Sequence, residues 1–158
     1  MSKEKKVENG ESLECHGNFQ RVFSTLEEEK NLPLGKFCDM LQKNYVLGAF
    51  AGKRLIGMLI YMEQEKQKFR HIGILGGMYV DPAYRNLGIG RKLVKIMLRH
   101  LKRLEHLRAL QLKVVTTNLP AIHLYESFGF RSWAQEPNAL QHKGRFFDQH
   151  HMALALRS

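Results

Sequence analysis

Arg85-Asn86-Leu87-Gly88-Ile89-Gly90 stands between an extended apolar run that ends at Val80 and a basic amphipathic stretch that begins near Gly88. A strand, a glycine-bearing turn and a helix in that order form a cradle for phosphate. The first turn of a helix leaves four backbone N–H groups unpaired and carries roughly half a positive elementary charge, so main chain alone can hold a pyrophosphate. Glycine lets a ligand come close to that backbone. Arg85, Arg91 and Lys92 add positive charge, and the arginines bring a fork suited to phosphate oxygens. Read alone, the hexamer is equally a tight turn that needs glycine for its geometry.

Working outward, Leu93, Val94, Met97, Leu98, Leu101 and Leu104 recur at helical spacing, so the turn opens onto an amphipathic helix. Arg91, Lys92, Lys95, Arg99, Lys102, Arg103 and Arg108 concentrate positive charge on that helix. Upstream, residues 69–80 read as a strand. Its Gly76-Gly77 pair suggests a bulge or the close approach of another backbone. Residues 45–51 and 55–63 form a hairpin about Ala51-Gly52-Lys53-Arg54. Downstream come a short strand at 110–115 and a short helix at 120–128, with proline in its first turn and Gly129 as its stop. Residues 130–134 and 151–156 alternate as two last strands. The polar stretch 136–148, with Pro137 and Gly144, reads as a loop that shapes a site entrance. Near the start, the spacing from Phe19 to Leu41 predicts two short helices broken at Asn31-Leu32-Pro33-Leu34-Gly35.

A chain of 158 residues fits one domain. Residues 1–16 read as a polar tail and 17–158 as a single domain. The apolar fraction of 44% and charged fraction of 25% are those of an ordinary globular protein, and no apolar stretch is long enough to span a bilayer. The polar opening Met1-Ser2-Lys3-Glu4-Lys5-Lys6 has no apolar core behind it and is not a secretory signal, so a cytoplasmic location is expected. Cys15 and Cys38 are then reduced, structural thiols. The net charge of +10 favours anionic partners.

Taken together, three motifs in order resemble the GNAT superfamily of acetyl-CoA-dependent N-acetyltransferases. Arg85-Asn86-Leu87-Gly88-Ile89-Gly90 fits that family's signature and follows Met78-Tyr79-Val80-Asp81-Pro82 as it should. Asn118-Leu119-Pro120-Ala121-Ile122-His123-Leu124-Tyr125-Glu126-Ser127-Phe128-Gly129-Phe130 is similar to its second signature. Phe147-Asp148-Gln149-His150-His151-Met152-Ala153-Leu154 resembles its closing strand. The resemblance covers residues 44 to the C-terminus. It implies an α/β (α+β) fold, a mixed, mostly antiparallel twisted sheet of about six strands with splayed central strands and about four flanking helices. The family usually begins with a strand, yet residues 1–16 lack its alternating pattern. Loss of that strand would leave a neighbour's ladder unpaired, which invites a homodimer, a donated strand or instability.

The same resemblance assigns roles. Acetyl-CoA is the acyl donor, and its pantetheine arm adds like a strand to the backbone of Met78, Tyr79 and Val80. Arg85, Asn86, Leu87, Gly88, Ile89, Gly90 and Arg91 hold the pyrophosphate. The Asn118 amide reaches the pantetheine, although Asn before a proline-led helix is also a favoured cap. Tyr125 gives a proton, or a hydrogen bond, to the departing CoA thiolate. The acceptor is a primary amine on a small molecule or on a protein or peptide, attacking the thioester directly. It must lose its proton first, since at a lysine-like pKa of about 10.4 only around one amine in a thousand or fewer is neutral near pH 7. Many such enzymes carry a glutamate base on the fourth strand, and residues 69–80 hold no carboxylate. His71 and Glu63 are the substitutes at hand, neither of them firm.

Other readings rank lower. A CoA-binding regulator would keep the cradle without efficient transfer. A nucleic-acid-binding helix ranks last, because aromatic residues do not interleave its cations. Leu93 stands where a dinucleotide fingerprint needs its third glycine. Asp148, His150 and His151 are not expected to bind metal, since adjacent strand histidines face opposite ways.

Overall fold

A computed structural model describes residues 43–157. They form six strands in one mixed sheet, ordered β1-β2-β3-β4-β6-β5, with two α-helices. The chain gathers into two compact units, residues through Met62 with Gly77–Arg99, and Glu63–Gly76 with His100 onward. The helices expected at 19–41 and the question of a first strand at 1–16 lie outside the described residues. No helix among the described residues is long and apolar enough to cross a membrane.

In the first unit, β1 (Tyr45–Ala51) and β2 (Arg54–Met62) pair antiparallel, from Tyr45 opposite Tyr61 to Ala51 opposite Arg54. This is the expected hairpin. Six consecutive β2 residues, from Ile56 to Tyr61, are buried, the signature of a strand covered on both faces. The third strand, β3 (Ile72–Val80), starts three residues later than the sequence reading. Phe69 belongs instead to a 3-10 turn, Gln67–Phe69. At Gly77 the backbone is left-handed, φ 58°, and an added Cβ would stand 2.6 Å from Ile60 Cδ1. The close approach foreseen at the glycine pair is thus made by a side chain, not a second backbone.

Helix α1 (Ile89–Leu101) follows. Leu93, Val94, Met97, Leu98 and Leu101 are all buried, as the helical spacing predicts. Leu104 is not on the helix. The chain turns at its end, with Leu104 N–H donating to Leu101 O, and the Arg157 guanidinium donates to the carbonyls of Lys102 at 2.6 Å and Glu105 at 3.1 Å. Lys102, Arg103 and Arg108 therefore lie beyond α1, and its own cations are Arg91, Lys92, Lys95 and Arg99.

In the second unit, Ile72–Ile74 of β3 run parallel to Ala109–Gln111 of β4 (Ala109–Val115), and β4 pairs antiparallel with β6 (Arg145–Ala155). The β3–β4 register stops at Ile74 and Gln111, although both strands continue. Leu110, Leu112, Val114, Phe130 and Met152 form this unit's buried core, with Ile122 and Tyr125 from helix α2 (Leu119–Glu126).

The stretch 136–148 is not a loop. β5 (Arg131–His142) and β6 form a long antiparallel hairpin closed by Lys143-Gly144, whose φ values of 49° and 74° are those of a primed two-residue turn. A register shift between Glu136 and Leu140 absorbs Pro137, and Asn138 takes φ 51° there. β5 is the sheet's edge, where proline costs no ladder bond.

Candidate active site

The end of β3 and the turn after it are held by side chains that tie their own backbone. Asp81 N–H donates to Ile56 O at 2.8 Å. Its carboxylate accepts from Ala83 N at 2.9 Å, capping the 3-10 turn Pro82–Tyr84, and from Arg54 Nη2 at 2.7 Å. Arg85 folds back so that Nε donates to Val80 O at 3.1 Å. That bond uses one donor of five and fixes the guanidinium beside the end of β3.

Left-handed residues at Asn86 (φ 63°) and Gly88 (φ 78°) bracket Leu87, which is 66% exposed. Gly88 O accepts the first helical bond from Lys92 N at 3.0 Å. Ile89 and Gly90 therefore occupy the first turn of α1, where a helix supplies no carbonyl for the N–H groups. Nothing stands within 4 Å of a Cβ built on Gly88, so its backbone borders open space. α1 carries four cations and no acid. The arrangement is an electropositive, amide-bearing helix start that suits an anion. Met78, Tyr79 and Val80 lead directly into it, each half-buried.

Asn118 and Tyr125 belong to the second unit, seven residues apart on the same short helix and so on the same face after two turns. Asn118 is the N-cap of α2. Its Oδ1 accepts from Ala121 N at 3.3 Å, with Pro120 in the first turn as the sequence suggested. The cap uses the carbonyl end of the amide and leaves its N–H donors for other work. Tyr125 is 6% exposed, and its ring meets Phe130 edge to face at 5.6 Å between centroids. Burial pushes its phenol well above the ordinary value, so it stays protonated across the physiological range.

Neither substitute base is on a strand. His71 precedes β3, and its carbonyl accepts from Arg108 N and Ala109 N. Glu63 follows β2 and is already shared by two partners, Arg70 Nη2 at 3.0 Å and His106 Nε2 at 3.1 Å.

A second cluster escaped the sequence reading. His151 Nε2 lies 2.7 Å from Glu136 Oε2, and Lys113 Nζ reaches the same oxygen at 3.2 Å. The Trp133 ring packs edge to face on the His151 imidazole, 5.5 Å between centroids. Glu136 is held below the usual carboxylate range by His151 first and Lys113 second. The hairpin register explains the grouping, for Glu136 opposes Gln149 and is thereby a diagonal, same-face neighbour of His151, while Lys113 directly opposes His151. The available signal was Lys143-Gly144, a glycine-bearing pair able to close a two-residue hairpin. Among the described residues no three His, Cys, Asp or Glu side chains group around a possible metal position.

The acetyltransferase (GNAT) family model matches residues 13–130. Mycothiol acetyltransferase of Acidothermus cellulolyticus is 48% identical over 67 residues, 39% of this chain and 20% of that protein. Spermine/spermidine N(1)-acetyltransferase of Bacillus subtilis is 28% identical over 87 residues, 55% of this chain and 56% of that protein. The chain thus spans about half the length of these curated relatives, or less. In fold it is similar to smu.2055 of Streptococcus mutans UA159, with TM-score 0.74 and 22% identity over 87% of this chain and 84% of that one. It is also similar to yncA of Salmonella typhimurium, solved with its cofactor acetyl-CoA, with TM-score 0.69 and 25% identity over 77% of this chain and 70% of that one. A six-stranded mixed sheet, an electropositive turn at the head of α1 and a family model matched over most of its length agree: the chain belongs to the acetyltransferase (GNAT) family.

Proposed function

We propose that residues 17–158 act as one N-acetyltransferase domain that moves the acetyl group of acetyl-CoA to a primary amine by direct attack. The observation that carries this reading is the turn at the head of α1. Its left-handed Asn86 and Gly88 set Ile89 and Gly90 in the first turn of α1, Gly88 bordering open space, with Arg85 tied to the end of β3 and four helix cations behind. A diphosphate seated there is met by Arg85 to Arg91, and the pantetheine arm runs from it along the backbone of Met78, Tyr79 and Val80 as an added strand. The N–H donors of the Asn118 amide are free of its cap bond and suit a pantetheine carbonyl. A backbone N–H of the Met78 to Val80 segment takes the tetrahedral oxyanion.

Tyr125 serves the leaving sulfur. A buried phenol held protonated is a poor acid towards water but a standing hydrogen-bond donor, and a thiolate forming beside it gains that bond without any reorganisation. Its contribution is charge stabilisation of the leaving group through that hydrogen bond, since a phenol raised above its ordinary value is a weaker acid than the departing thiol.

Titration calorimetry with acetyl-CoA and a free-thiol assay over polyamines, amino acids, aminoglycosides and basic peptides test the reading together. Saturable uptake of acetyl-CoA and amine-dependent thiol release are expected, and Tyr125→Phe should lower kcat about 10- to 100-fold. Folded protein that takes up no acetyl-CoA removes the reading. Protein that binds it but releases no thiol with any amine is a CoA-binding regulator instead.

A further inference from the structure

Arg131-Ser132-Trp133-Ala134-Gln135-Glu136 runs along the outer edge of β5, where no described strand pairs with it. An edge strand offers backbone N–H and C=O groups to another chain. Here the stretch has a definite end. Pro137 has no N–H and Asn138 is left-handed at φ 51°, so regular pairing stops after Glu136.

Within that limit the stretch is complementary to itself read backwards. Set antiparallel against a second copy, about a two-fold axis between Trp133 and Ala134, Arg131 opposes Glu136, Ser132 opposes Gln135 and Trp133 opposes Ala134, each pairing occurring twice. Cation meets anion, polar meets polar, and large meets small. The faces must agree as well, because an axis normal to the sheet keeps every side chain on its own face. In a regular strand Arg131 and Glu136, five positions apart, would face opposite ways. The bulge at Trp133 removes the conflict. Arg131 opposes Ala153, Ala134 opposes His151 and Glu136 opposes Gln149, alternate residues of β6 and hence one face. Ser132 and Gln135 oppose Met152 and His150 and share the other face. Across the axis the two bulges lie opposite one another, so both strands carry the extra residue and register is kept.

The side chains retain the capacity to make these pairs. Arg131 donates only through Nη1, to the carbonyls of Phe130 at 2.9 Å and Glu126 at 3.3 Å, so Nε and Nη2 are available. Both contacts to Glu136 fall on Oε2, which leaves Oε1 on a side chain that is 46% exposed. Trp133, 60% exposed, stands next to the axis, so pairing covers an aromatic anchor from each copy at once.

We propose that the outer edge of β5 is a homodimer interface, two copies of this chain pairing antiparallel over residues 131–136 about an axis between Trp133 and Ala134. The charges set the register. A slip of one residue in either direction puts Arg131 against Pro137 or Gln135 and loses both ion pairs. The interface needs no cofactor and stands independently of the acetyltransferase reading.

Analytical ultracentrifugation of the full chain from about 1 to 200 μM should show a reversible equilibrium between monomer and dimer, as suits a small interface. Arg131→Glu and Glu136→Arg each set like charges opposite one another twice per dimer, so each alone should weaken association at least about 10-fold, and less in high salt. Mixed in equal amounts, the two variants should pair with each other, since opposite charges then meet at both positions. A variant damaged only in its own fold gains nothing from such a partner. Thermal unfolding of each variant alone reports whether it folds. If either does not, hydrogen exchange in the parent decides, the amides of residues 131–136 exchanging at least about 5-fold more slowly at the highest concentration than at the lowest. A parent that is monomeric throughout overturns the proposal, whether its edge is open or covered by residues 1–42 of the same chain. Folded variants that associate as the parent does, folded variants that do not recover on mixing, and exchange at 131–136 that is independent of concentration each overturn it too.

Discussion

Gly77 and Gly88 hold similar backbone angles, φ 58° and 78°, for different reasons. At Gly88 a Cβ would meet nothing, so the position constrains φ alone, whereas at Gly77 it would also collide with Ile60. A left-handed non-glycine residue costs about 1–2 kcal/mol, and overpacking a filled core about 1–3 more. Gly77→Ala should therefore destabilise by about 3 kcal/mol in urea unfolding, and Gly88→Ala by about 1. Adding Ile60→Ala to Gly77→Ala removes the collision, so the double variant should be more stable than the sum of the two single losses predicts. Additive losses would mean that Ile60 is not what excludes a side chain there. The hexamer was legible at this scale because turn chemistry is local: glycine, arginine and the following period of apolar residues describe the backbone whatever packs around it. The collision at Gly77 was legible only as a site of close approach, since nothing in residues 69–80 names the partner 17 positions upstream.

The β5–β6 hairpin is where local reading failed. Its strands carry Gln135, Glu136, Pro137, Asn138, Gln141 and His142, a composition that resembles a loop because an edge strand with a solvent-facing side needs few apolar residues. Side chains replace the ladder where it is broken. Asp148 Oδ1 accepts from Asn138 N at 2.9 Å and Oδ2 from Gln135 Nε2 at 3.0 Å, spanning the irregular register between Glu136 and Leu140. The Asn138 N–H first, and the Gln135 amide second, hold the Asp148 carboxyl below its usual range. Because its folded value is depressed, its contribution to stability is complete above the ordinary carboxylate range near 4 and is lost as pH falls through the lower folded value. Thermal unfolding from pH 7 down to 2.5 should show a steeper fall in Tm for the parent than for Asp148→Asn. The variant should start lower at pH 7, with the two curves converging in acid. Parallel curves would show that the carboxylate's charge plays no part in bridging the bulge. The same misreading hid the Glu136–His151 pair, since a loop has no faces and a hairpin has two.

Over the whole molecule, charge was the most readable property and the acceptor the least. Composition reports a net charge of +10 without geometry, and the structure puts four of the cations on α1 with no acid among them. Lys95 and Arg99 are exposed, about two and three turns past the head of the helix. They are too far along for a diphosphate bound at the first turn to touch both, yet within about two Debye lengths of it at physiological ionic strength. On the proposed reading, their effect on acetyl-CoA is a matter of encounter, not of grip. Stopped-flow binding should show an association rate that falls severalfold between 20 and 300 mM salt, by the usual screening of steered association. Lys95→Gln with Arg99→Gln should lower that rate and flatten its salt dependence, while the dissociation rate stays within about 2-fold. Arg85→Gln removes a group bonded to the end of β3 at the cradle itself, so it should act mainly on dissociation. If the α1 pair instead slows binding equally at every salt concentration, those cations touch the ligand. The cofactor would then lie further along the helix than the amides of Ile89 and Gly90 allow.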